Sequence, residues 1–204
     1  RANDNAQTAI TLWDLAAWDA PDDLPRPLVA WQRGMLRRAV KHADAVVVPT
    51  HAMAERVGEI ARLGDRVRVI PGAVDSRFRA PKKVAAVERE LGLPNAYAVV
   101  AGTTAVSDGI ADALRAIATA DGTEIDVVVI GATEGEEPAI VELAVAAGLP
   151  ERRVHVRGAL DPVTRAVLLA KAAVFVEAGT RSRWPWRLVE ALAAGVPVVA
   201  LDTA

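Results

Sequence analysis

The sequence contains no cysteine, and this absence removes several classes of protein at once. A disulfide scaffold, a zinc or iron–sulfur site with cysteine ligands, and thiol catalysis all require that residue. Histidine is nearly as scarce, with His42, His51 and His155 scattered along 204 residues. We therefore expect no metal site, and we interpret the histidines as ordinary surface or satisfied polar residues.

The net charge is small, and long apolar runs are absent from the sequence. The formal net charge is −2 at pH 7, whereas proteins dedicated to nucleic acid are usually strongly basic. No apolar run is long enough to span a membrane, and the polar stretch Arg1–Ala9 does not resemble a signal peptide. We therefore expect a cytoplasmic protein that binds no nucleic acid. Only four of the 24 basic residues are lysines, a bias typical of GC-rich bacterial genomes.

The chain does contain a regular alternation of short apolar runs and amphipathic stretches. Strands separated by helices predict parallel sheets with helices on both faces, and 52% hydrophobic residues suffice for a substantial core. The charged, proline-containing segment Asp75–Lys83 predicts a linker, with three strands before it and five after it. The predicted strands are Ala9–Leu12, Ala45–Pro49, Val67–Ile70, Tyr97–Ala101, Ile125–Ile130, Val154–Val156, Val174–Val176 and Pro197–Leu201.

Four loops fall at the predicted carboxyl ends of strands, which is where open parallel sheets bind ligands. None of them contains G-x-G-x-x-G or a P-loop lysine motif, which argues against an oxidoreductase with a dinucleotide cofactor. No Ser-His-Asp set is discernible either. The residues alone thus indicate a nucleotide-type α/β protein. The loops are Gly102–Gly109, Gly131–Glu137, Gly158–Asp161 and Glu177–Trp186.

One segment, FVEAGTRSRWPWRLVEALAAGVPVVALDTA, resembles the donor-site signature of glycosyltransferase family 4, the group 1 glycosyltransferases. Glu190 falls on the second glutamate of that signature, and Gly195–Val199 falls on its Gly-x-Pro-Val-Val strand. The segments ITLWDLAAW, VVVPTHAMAERV and VRVIPGAVDSRF resemble the last strands of the family's N-terminal domain and its linker. The resemblance covers essentially the whole chain in order.

The resemblance implies an α/β fold with two Rossmann-like lobes of the GT-B type. It implies an N-terminal lobe that is incomplete and a C-terminal lobe truncated after its fifth strand. Residues 1–75 would be the later part of the N-terminal, acceptor-side domain. Residues 76–83 would be the linker, and 84–204 the C-terminal domain that binds the nucleotide sugar.

The resemblance also implies a site, although several of its positions are replaced. Glu190 would hold the ribose, while Ser182 replaces the family's first glutamate. Thr103 and Asp108 replace its phosphate-binding Arg and Lys, and an acidic Asp108 would repel a diphosphate. Arg183 and Arg187, with their forked guanidinium groups, could compensate; a solvated face is the plainer interpretation of them. Further residues assigned to the site are Gly102 and Leu160 on the nucleotide-sugar side and Trp13 and Asp14 on the acceptor side.

The activity implied is transfer of a hexose, with retention, from a nucleotide-diphosphate sugar to a polysaccharide or lipid-linked acceptor. GT-B enzymes generally need neither metal nor other cofactor for this, and the resemblance assigns no catalytic residue here. The replaced positions favour an alternative, a catalytically degenerate binding or partner module. The basic face Arg33/Arg37/Arg38/Lys41 is either solvated or in peripheral contact with anionic membrane lipids, and Trp13 is either a packing residue or an acceptor contact.

Overall fold

The computed structural model describes residues 7–81, 84–120, 124–180 and 183–202. These residues divide into two compact units. The first unit contains 7–72 together with 183–184, and the second contains 73–180 and 185–202 within the described ranges. Phe78 is buried in the core of the second unit. The predicted boundary at residue 75 and the linker 76–83 stay predictions, and Lys82 and Lys83 lie outside the described residues.

The first unit is a three-stranded parallel sheet in the order β1-β2-β3. Its apolar residues Val46 and Val48 are fully buried and pack with Leu36 and Met53 from the flanking helices. The Thr50 hydroxyl accepts a hydrogen bond from the Met53 amide (3.1 Å), as expected for the start of a helix. The strands are β1 (Ala9–Thr11), β2 (Ala45–Val48) and β3 (Val67–Val69), and the helices are α1 (Ala16–Asp19), α2 (Arg26–His42) and α3 (His51–Ile60).

The second unit is a five-stranded parallel sheet in the order β6-β5-β4-β7-β8. Its strands are β4 (Tyr97–Ala101), β5 (Asp126–Ile130), β6 (Val154–Arg157), β7 (Val174–Glu177) and β8 (Val198–Ala200). Its helices are α4 (Ala85–Leu91), α5 (Ile110–Thr119), α6 (Glu137–Ala146), α7 (Pro162–Lys171) and α8 (Trp186–Ala193). The expectation of two parallel sheets, one of three strands and one of five, is confirmed.

Both faces of the second sheet are covered, which explains why its strands are continuously apolar. Successive residues of β4 point to opposite faces. Val100 packs in a cluster with Ile110 and Leu114 of α5, whereas Val99 packs in a second cluster with Leu168 and Leu169 of α7. An alternating strand would place polar side chains in one of these two cores, so the run of apolar residues is a direct consequence of burial on both faces.

The sequence missed two short helices and misplaced several ends by one or two residues. Helix α1 has four residues, too few to show helical periodicity, and α4 lies in a charged stretch after the predicted linker. Strand β3 ends before Ile70, which is 55% exposed, and β8 begins after Pro197, which lacks an amide hydrogen to donate to a neighbouring strand. The Asp161 carboxylate caps α7, accepting hydrogen bonds from the Val163 and Thr164 amides.

Gly109 allows the second unit to close around the start of α5. Its φ of +68° is left-handed, and a Cβ atom placed there would lie 1.9 Å from the carbonyl oxygen of Ala178, just after β7. The neighbouring Thr180 amide donates a hydrogen bond to the Ser107 carbonyl oxygen (2.9 Å). The loops that follow β4 and β7 therefore touch, and only glycine fits at the point of contact.

We expect Gly109→Ala to lower the free energy of unfolding by more than about 2 kcal/mol, the combined cost of left-handed strain and overpacking. Gly92→Ala is the matched control, because Gly92 has a φ of +55° but a Cβ atom added there would meet no other atom within 4 Å. Urea unfolding of the two variants measures the difference. Equal losses would show that the Ala178 carbonyl moves aside at no cost.

Candidate functional site

The order of the second sheet locates a candidate site before any side chain is considered. From β4 the chain moves outward through β5 to β6 and then returns to the other side of β4 with β7 and β8. Such a reversal leaves a crevice at the carboxyl ends of the two strands that flank it, here β4 and β7. The loop after β4 and the helix α8 that follows β7 are therefore the elements that border the crevice.

The loop after β4 is closed by a buried carboxylate. Oδ2 of Asp108 accepts hydrogen bonds from the amide and the hydroxyl of Thr103, both at 2.8 Å, and Asp108 is only 2% exposed. Gly102 permits this approach, because a Cβ atom there would lie 2.9 Å from the Cβ of Asp108. The carboxylate is therefore buried, and it accepts the hydrogen bond of a backbone amide that lies just after β4.

The neighbouring loop, after β5, contains a second carboxylate used in the same way. Glu136 accepts hydrogen bonds from the Thr104 amide (3.0 Å) and hydroxyl (2.5 Å) and from the Thr133 amide (2.6 Å). Partial burial opposes ionisation, but these hydrogen bonds together outweigh it and hold the pKa of Glu136 at about 2. Glu136 therefore ties the loops after β4 and β5 together as a carboxylate.

Helix α8 carries the third carboxylate, and this one is surrounded by arginines. Glu190 is the fifth residue of the helix and 5% exposed. Arg165 of α7 binds it in a bidentate manner, with Nε 3.0 Å from Oε2 and Nη2 2.8 Å from Oε1. Arg187, one turn earlier on α8, donates from Nη1 to Oε2 at 2.8 Å. Two guanidinium groups thus share one carboxylate, which leaves the cluster with a formal charge of +1.

The two arginines differ in what they can still bind. The Arg165 side chain is 11% exposed and its Nη1 donates to the carbonyl oxygen of Leu160, so its polar atoms are largely used. The Arg187 side chain is 35% exposed and pairs with Glu190 through Nη1. Arg187 is therefore the cation of this cluster that can reach an anionic ligand while it stays paired with Glu190.

The predicted site residues fall into separate groups. Within the second unit the structure brings Glu190 and Arg187 together, and it connects Leu160 to them through Arg165. A second group, in the loop after β4, comprises Gly102, Thr103 and Asp108.

The remaining predicted site residues belong to the first unit or lie outside the description. Asp14 and Arg183 form an isolated antiparallel bridge, and the Trp184 amide donates to the Trp13 carbonyl oxygen at 2.8 Å. Ser182, which the resemblance aligns with the family's first glutamate, lies outside the described residues. Trp13 is 38% exposed, so it is not a residue of the core, and its contact with an acceptor stays a prediction.

Arg165 is the residue that sequence reasoning missed. It immediately precedes the apolar run Ala166–Leu169 of α7, where a basic residue is easily taken for part of a solvated face. Its partner, Glu190, lies 25 residues later on another helix, and no spacing rule connects the two. The available signal was its position one turn after the capping residue Asp161, at the carboxyl edge of the sheet.

The described ranges contain neither a cluster of metal ligands nor a membrane-spanning helix. No group of three or more His, Asp or Glu side chains in these ranges is arranged to hold a metal ion. No helix there combines the length and apolar character needed to cross a membrane. His155 lies with Nε2 3.4 Å from Oδ2 of Asp126, which agrees with its interpretation as a satisfied polar residue.

Comparison with solved structures finds glycosyltransferases that share this fold. Sucrose-phosphate synthase from Thermosynechococcus elongatus superposes with a TM-score of 0.72 at 20% identity, covering 95% of this chain and 50% of that one. HepE from Anabaena, in complex with UDP and glucose, gives 0.67 at 20% identity, covering 95% and 52%. The pneumococcal O-GlcNAc transferase GtfA, in complex with UDP and GlcNAc, gives 0.63 at 15% identity, covering 97% and 38%. The chain therefore spans about half or less of the length of these relatives.

A search of curated proteins finds no match to the sequence. Two family profiles do match it. Residues 10–78 match the profile of Glycosyltransferase Family 4, and residues 96–204, just over half of the chain, match that of Glycosyl transferases group 1. The two matches follow each other along the chain and correspond to the two sheets described above, with strands of the first in 10–78 and of the second in 96–204. The chain belongs to the group 1 glycosyl transferases.

Proposed function

We propose that the chain is part of a retaining glycosyltransferase that transfers a hexose from a nucleotide-diphosphate sugar to a polysaccharide or lipid-linked acceptor. The observation that carries this proposal is the cluster of Glu190 with Arg187 and Arg165 at the end of the second sheet. It offers a fixed carboxylate for ribose hydroxyls next to a partly exposed guanidinium for the diphosphate. A cytoplasmic location, and action without a metal or other cofactor, are part of the proposal.

The chemistry of transfer sets what Arg187 must do. The bond between the anomeric carbon of the sugar and the diphosphate oxygen breaks, and its electron pair stays on the diphosphate. The acceptor hydroxyl oxygen bonds to that carbon, and its proton passes to an oxygen of the departing diphosphate. Arg187 would neutralise the charge that develops on the leaving group, and the positive end of the α8 helix dipole would add to this.

Complexes of the structural relatives support a nucleotide sugar as the substrate class. HepE has been solved with UDP, with UDP and glucose, and with UDP-glucose, and GtfA with UDP and GlcNAc. These ligands belong to those proteins. Because this chain matches them over nearly its whole length, we propose the same class of ligand here, with uridine 5′-diphosphate as the first nucleotide to test.

A second candidate function is a glycosyltransferase-like module that binds weakly or serves as a partner without turnover. It is favoured by two carboxylates at the carboxyl edge of the second sheet, the buried Asp108 and the partly exposed Glu136. Each occupies amide hydrogens that a phosphate would otherwise accept, and each adds negative charge near the place where a diphosphate would lie. Arg187 has the opposite effect, because its positive charge would attract a diphosphate. The two candidates therefore make opposite predictions for nucleotide binding.

The first unit contributes a proposal about the acceptor side, where Trp13 and Asp14 would contact the acceptor. A groove of about 980 Å³ runs beside α2 and the end of α3. It is lined by Trp18 and Trp31 and by cations, and no acidic residue of the described chain lines it. Trp31 is 61% exposed. We propose that this groove meets anionic lipid at a membrane surface, which suits a lipid-linked acceptor. The cations are Arg33, Arg37, Arg38, Lys41 and Arg62.

We expect Arg187→Ala to weaken binding of uridine 5′-diphosphate by about 1.5–3 kcal/mol, the usual worth of a hydrogen bond to a charged group. Isothermal titration calorimetry on the protein and the variant measures it, with guanosine and adenosine diphosphates as alternatives. Arg115→Ala is the matched control, because Arg115 forms an ion pair of the same i,i+3 kind with Asp112 on α5.

Asp108→Asn tests the opposing carboxylate in the same titration. It removes the negative charge, keeps the shape of the side chain, and should strengthen binding. If no nucleoside diphosphate binds the unsubstituted protein, the nucleotide-sugar assignment is wrong and the degenerate module stands.

Glu136 predicts a dependence of stability on pH. Its folded-state pKa, about 2, lies below the ordinary value of 4.5, so its contribution is complete above about 4.5 and is lost as the pH falls towards 2. We expect Glu136→Gln to cost about 1 kcal/mol at pH 7, an estimate already reduced for solvent screening. The deficit should shrink below pH 4.5. Urea unfolding between about pH 7 and pH 3 measures it, with Glu142→Gln on α6 as the control; a deficit that does not change with pH contradicts the prediction.

The groove beside α2 predicts binding to anionic vesicles. The double variant Arg37→Ala, Arg38→Ala should bind vesicles of one part phosphatidylglycerol to three parts phosphatidylcholine about 30-fold more weakly, at roughly 1 kcal/mol for each basic residue. Sedimentation with the vesicles measures the affinity. The control is Arg79→Ala with Arg152→Ala, which removes two exposed arginines from the second unit. Equal affinity for pure phosphatidylcholine would contradict the charge-based contact.

A further inference from the structure

Arg165 connects the two groups that the nucleoside end of the ligand would contact. Its Nε and Nη2 bind both oxygens of Glu190, and its Nη1 donates to the carbonyl oxygen of Leu160 in the loop after β6. One side chain of α7 therefore holds the carboxylate of α8 and the backbone of a third element. Glu190 and Leu160 lie far apart in the sequence, and a single guanidinium group links them.

The backbone of α7 is held by hydrogen bonds on both sides of Arg165. Asp161 caps the first turn of α7 through the Val163 and Thr164 amides at 2.9 and 3.1 Å. One turn further on, Leu168 is fully buried, and its carbonyl oxygen accepts a hydrogen bond from the Tyr97 hydroxyl at 2.7 Å. These two anchors hold the backbone on either side of Arg165, while its bonds to Glu190 and Leu160 hold the side chain, which is 11% exposed.

The bidentate contact also decides what Glu190 can still accept. Oε2 already accepts two hydrogen bonds, from Arg165 and Arg187, whereas Oε1 accepts one, from Arg165. A carboxylate offers about four acceptor positions in its plane. The remaining position is therefore on Oε1, and the planar guanidinium of Arg165 sets the plane in which it points.

We propose that Arg165 is a positioning residue that orients Glu190 to accept one ribose hydroxyl and fixes the Leu160 loop beside it. The proposal rests on the proposed function, because it assumes that a nucleotide reaches Glu190. It adds a residue outside the predicted site and a specific consequence, namely that the part of the affinity contributed by ribose hydroxyls depends on Arg165.

The experiment compares uridine 5′-diphosphate with its 2′,3′-dideoxy form by calorimetry on the protein and on Arg165→Leu and Arg165→Lys. The unsubstituted protein should prefer the ribonucleotide about tenfold, the worth of one hydrogen bond to a charged group. In Arg165→Leu that ratio should fall to about 2 or less, while the affinity for the dideoxy form stays within about twofold. Arg165→Lys restores charge without the planar fork and should give an intermediate ratio.

The control is Arg153→Leu. Arg153 is also a partly buried arginine of the second unit, with the Ile125 carbonyl as a partner and the Asp126 carboxylate as a neighbour. It lies just before β6, at the amino ends of the strands, whereas the candidate site lies at their carboxyl ends. This variant should keep the tenfold ratio. Thermal unfolding of all variants separates loss of fold from loss of selectivity, since a merely structural role lowers both affinities by the same factor.

The outcomes separate the two proposals. An unchanged ratio in Arg165→Leu, or equal losses for both nucleotides, overturns the role of Arg165 and leaves the nucleotide-sugar assignment standing. If the unsubstituted protein binds neither nucleotide, the proposed function fails and the role of Arg165 fails with it. A lowered ratio in Arg165→Leu with an unchanged ratio in Arg153→Leu supports the proposal.

Discussion

A buried carboxylate must be given hydrogen-bond donors or cations, and this requirement organises the carboxyl edge of the second sheet. Three carboxylates lie there, Asp108 and Glu190 buried and Glu136 partly exposed, and each is satisfied differently. Asp108 takes the amide and hydroxyl of Thr103, and Glu136 takes donors from two loops. Glu190 takes two arginines. The loops and the last helix are held where they are because these partners must stay within hydrogen-bond distance.

The same requirement has opposite functional consequences in the loop after β4 and at α8, which both border the carboxyl edge of the second sheet. At the loop after β4, a carboxylate satisfied by an amide and a hydroxyl uses two donors that suit a phosphate and leaves negative charge in their place. At α8, a carboxylate satisfied by arginines brings cations to the site, and Arg187 retains donors that a ligand can use. The nucleotide-sugar proposal depends on whether a diphosphate lies nearer to the Arg187 guanidinium or to the Asp108 carboxylate, because the Coulomb energy falls with distance.

Family membership and the particular residues of this chain answer different questions. The profile match over residues 96–204 shows which fold and which signature are present. The contact of Thr103 with Asp108 in the loop after β4, and that of Arg165 with Glu190, are properties of this particular chain. Membership of a family therefore does not fix the contacts at the edge of the sheet, because different elements supply them and each can change separately.

Local order along the chain was determined by the sequence itself. Continuous apolar runs of Val, Ile and Ala predicted eight parallel strands, since burial on both faces admits no polar alternation, and capping residues such as Thr50 and Asp161 marked helix starts correctly. The i,i+3 spacing of Arg187 and Glu190 places them on one face of α8, where the structure shows the hydrogen bond between them. Only the tertiary structure decided that Asp108 faces inward and that Arg165 reaches Glu190. The contact of Arg165 with Glu190 depends on α7 and α8 being brought together by the order β6-β5-β4-β7-β8, and pairing between elements distant in sequence leaves no periodic signal in either of them. The contact of Asp108 with Thr103 is local, but a loop has no periodicity from which it could be predicted.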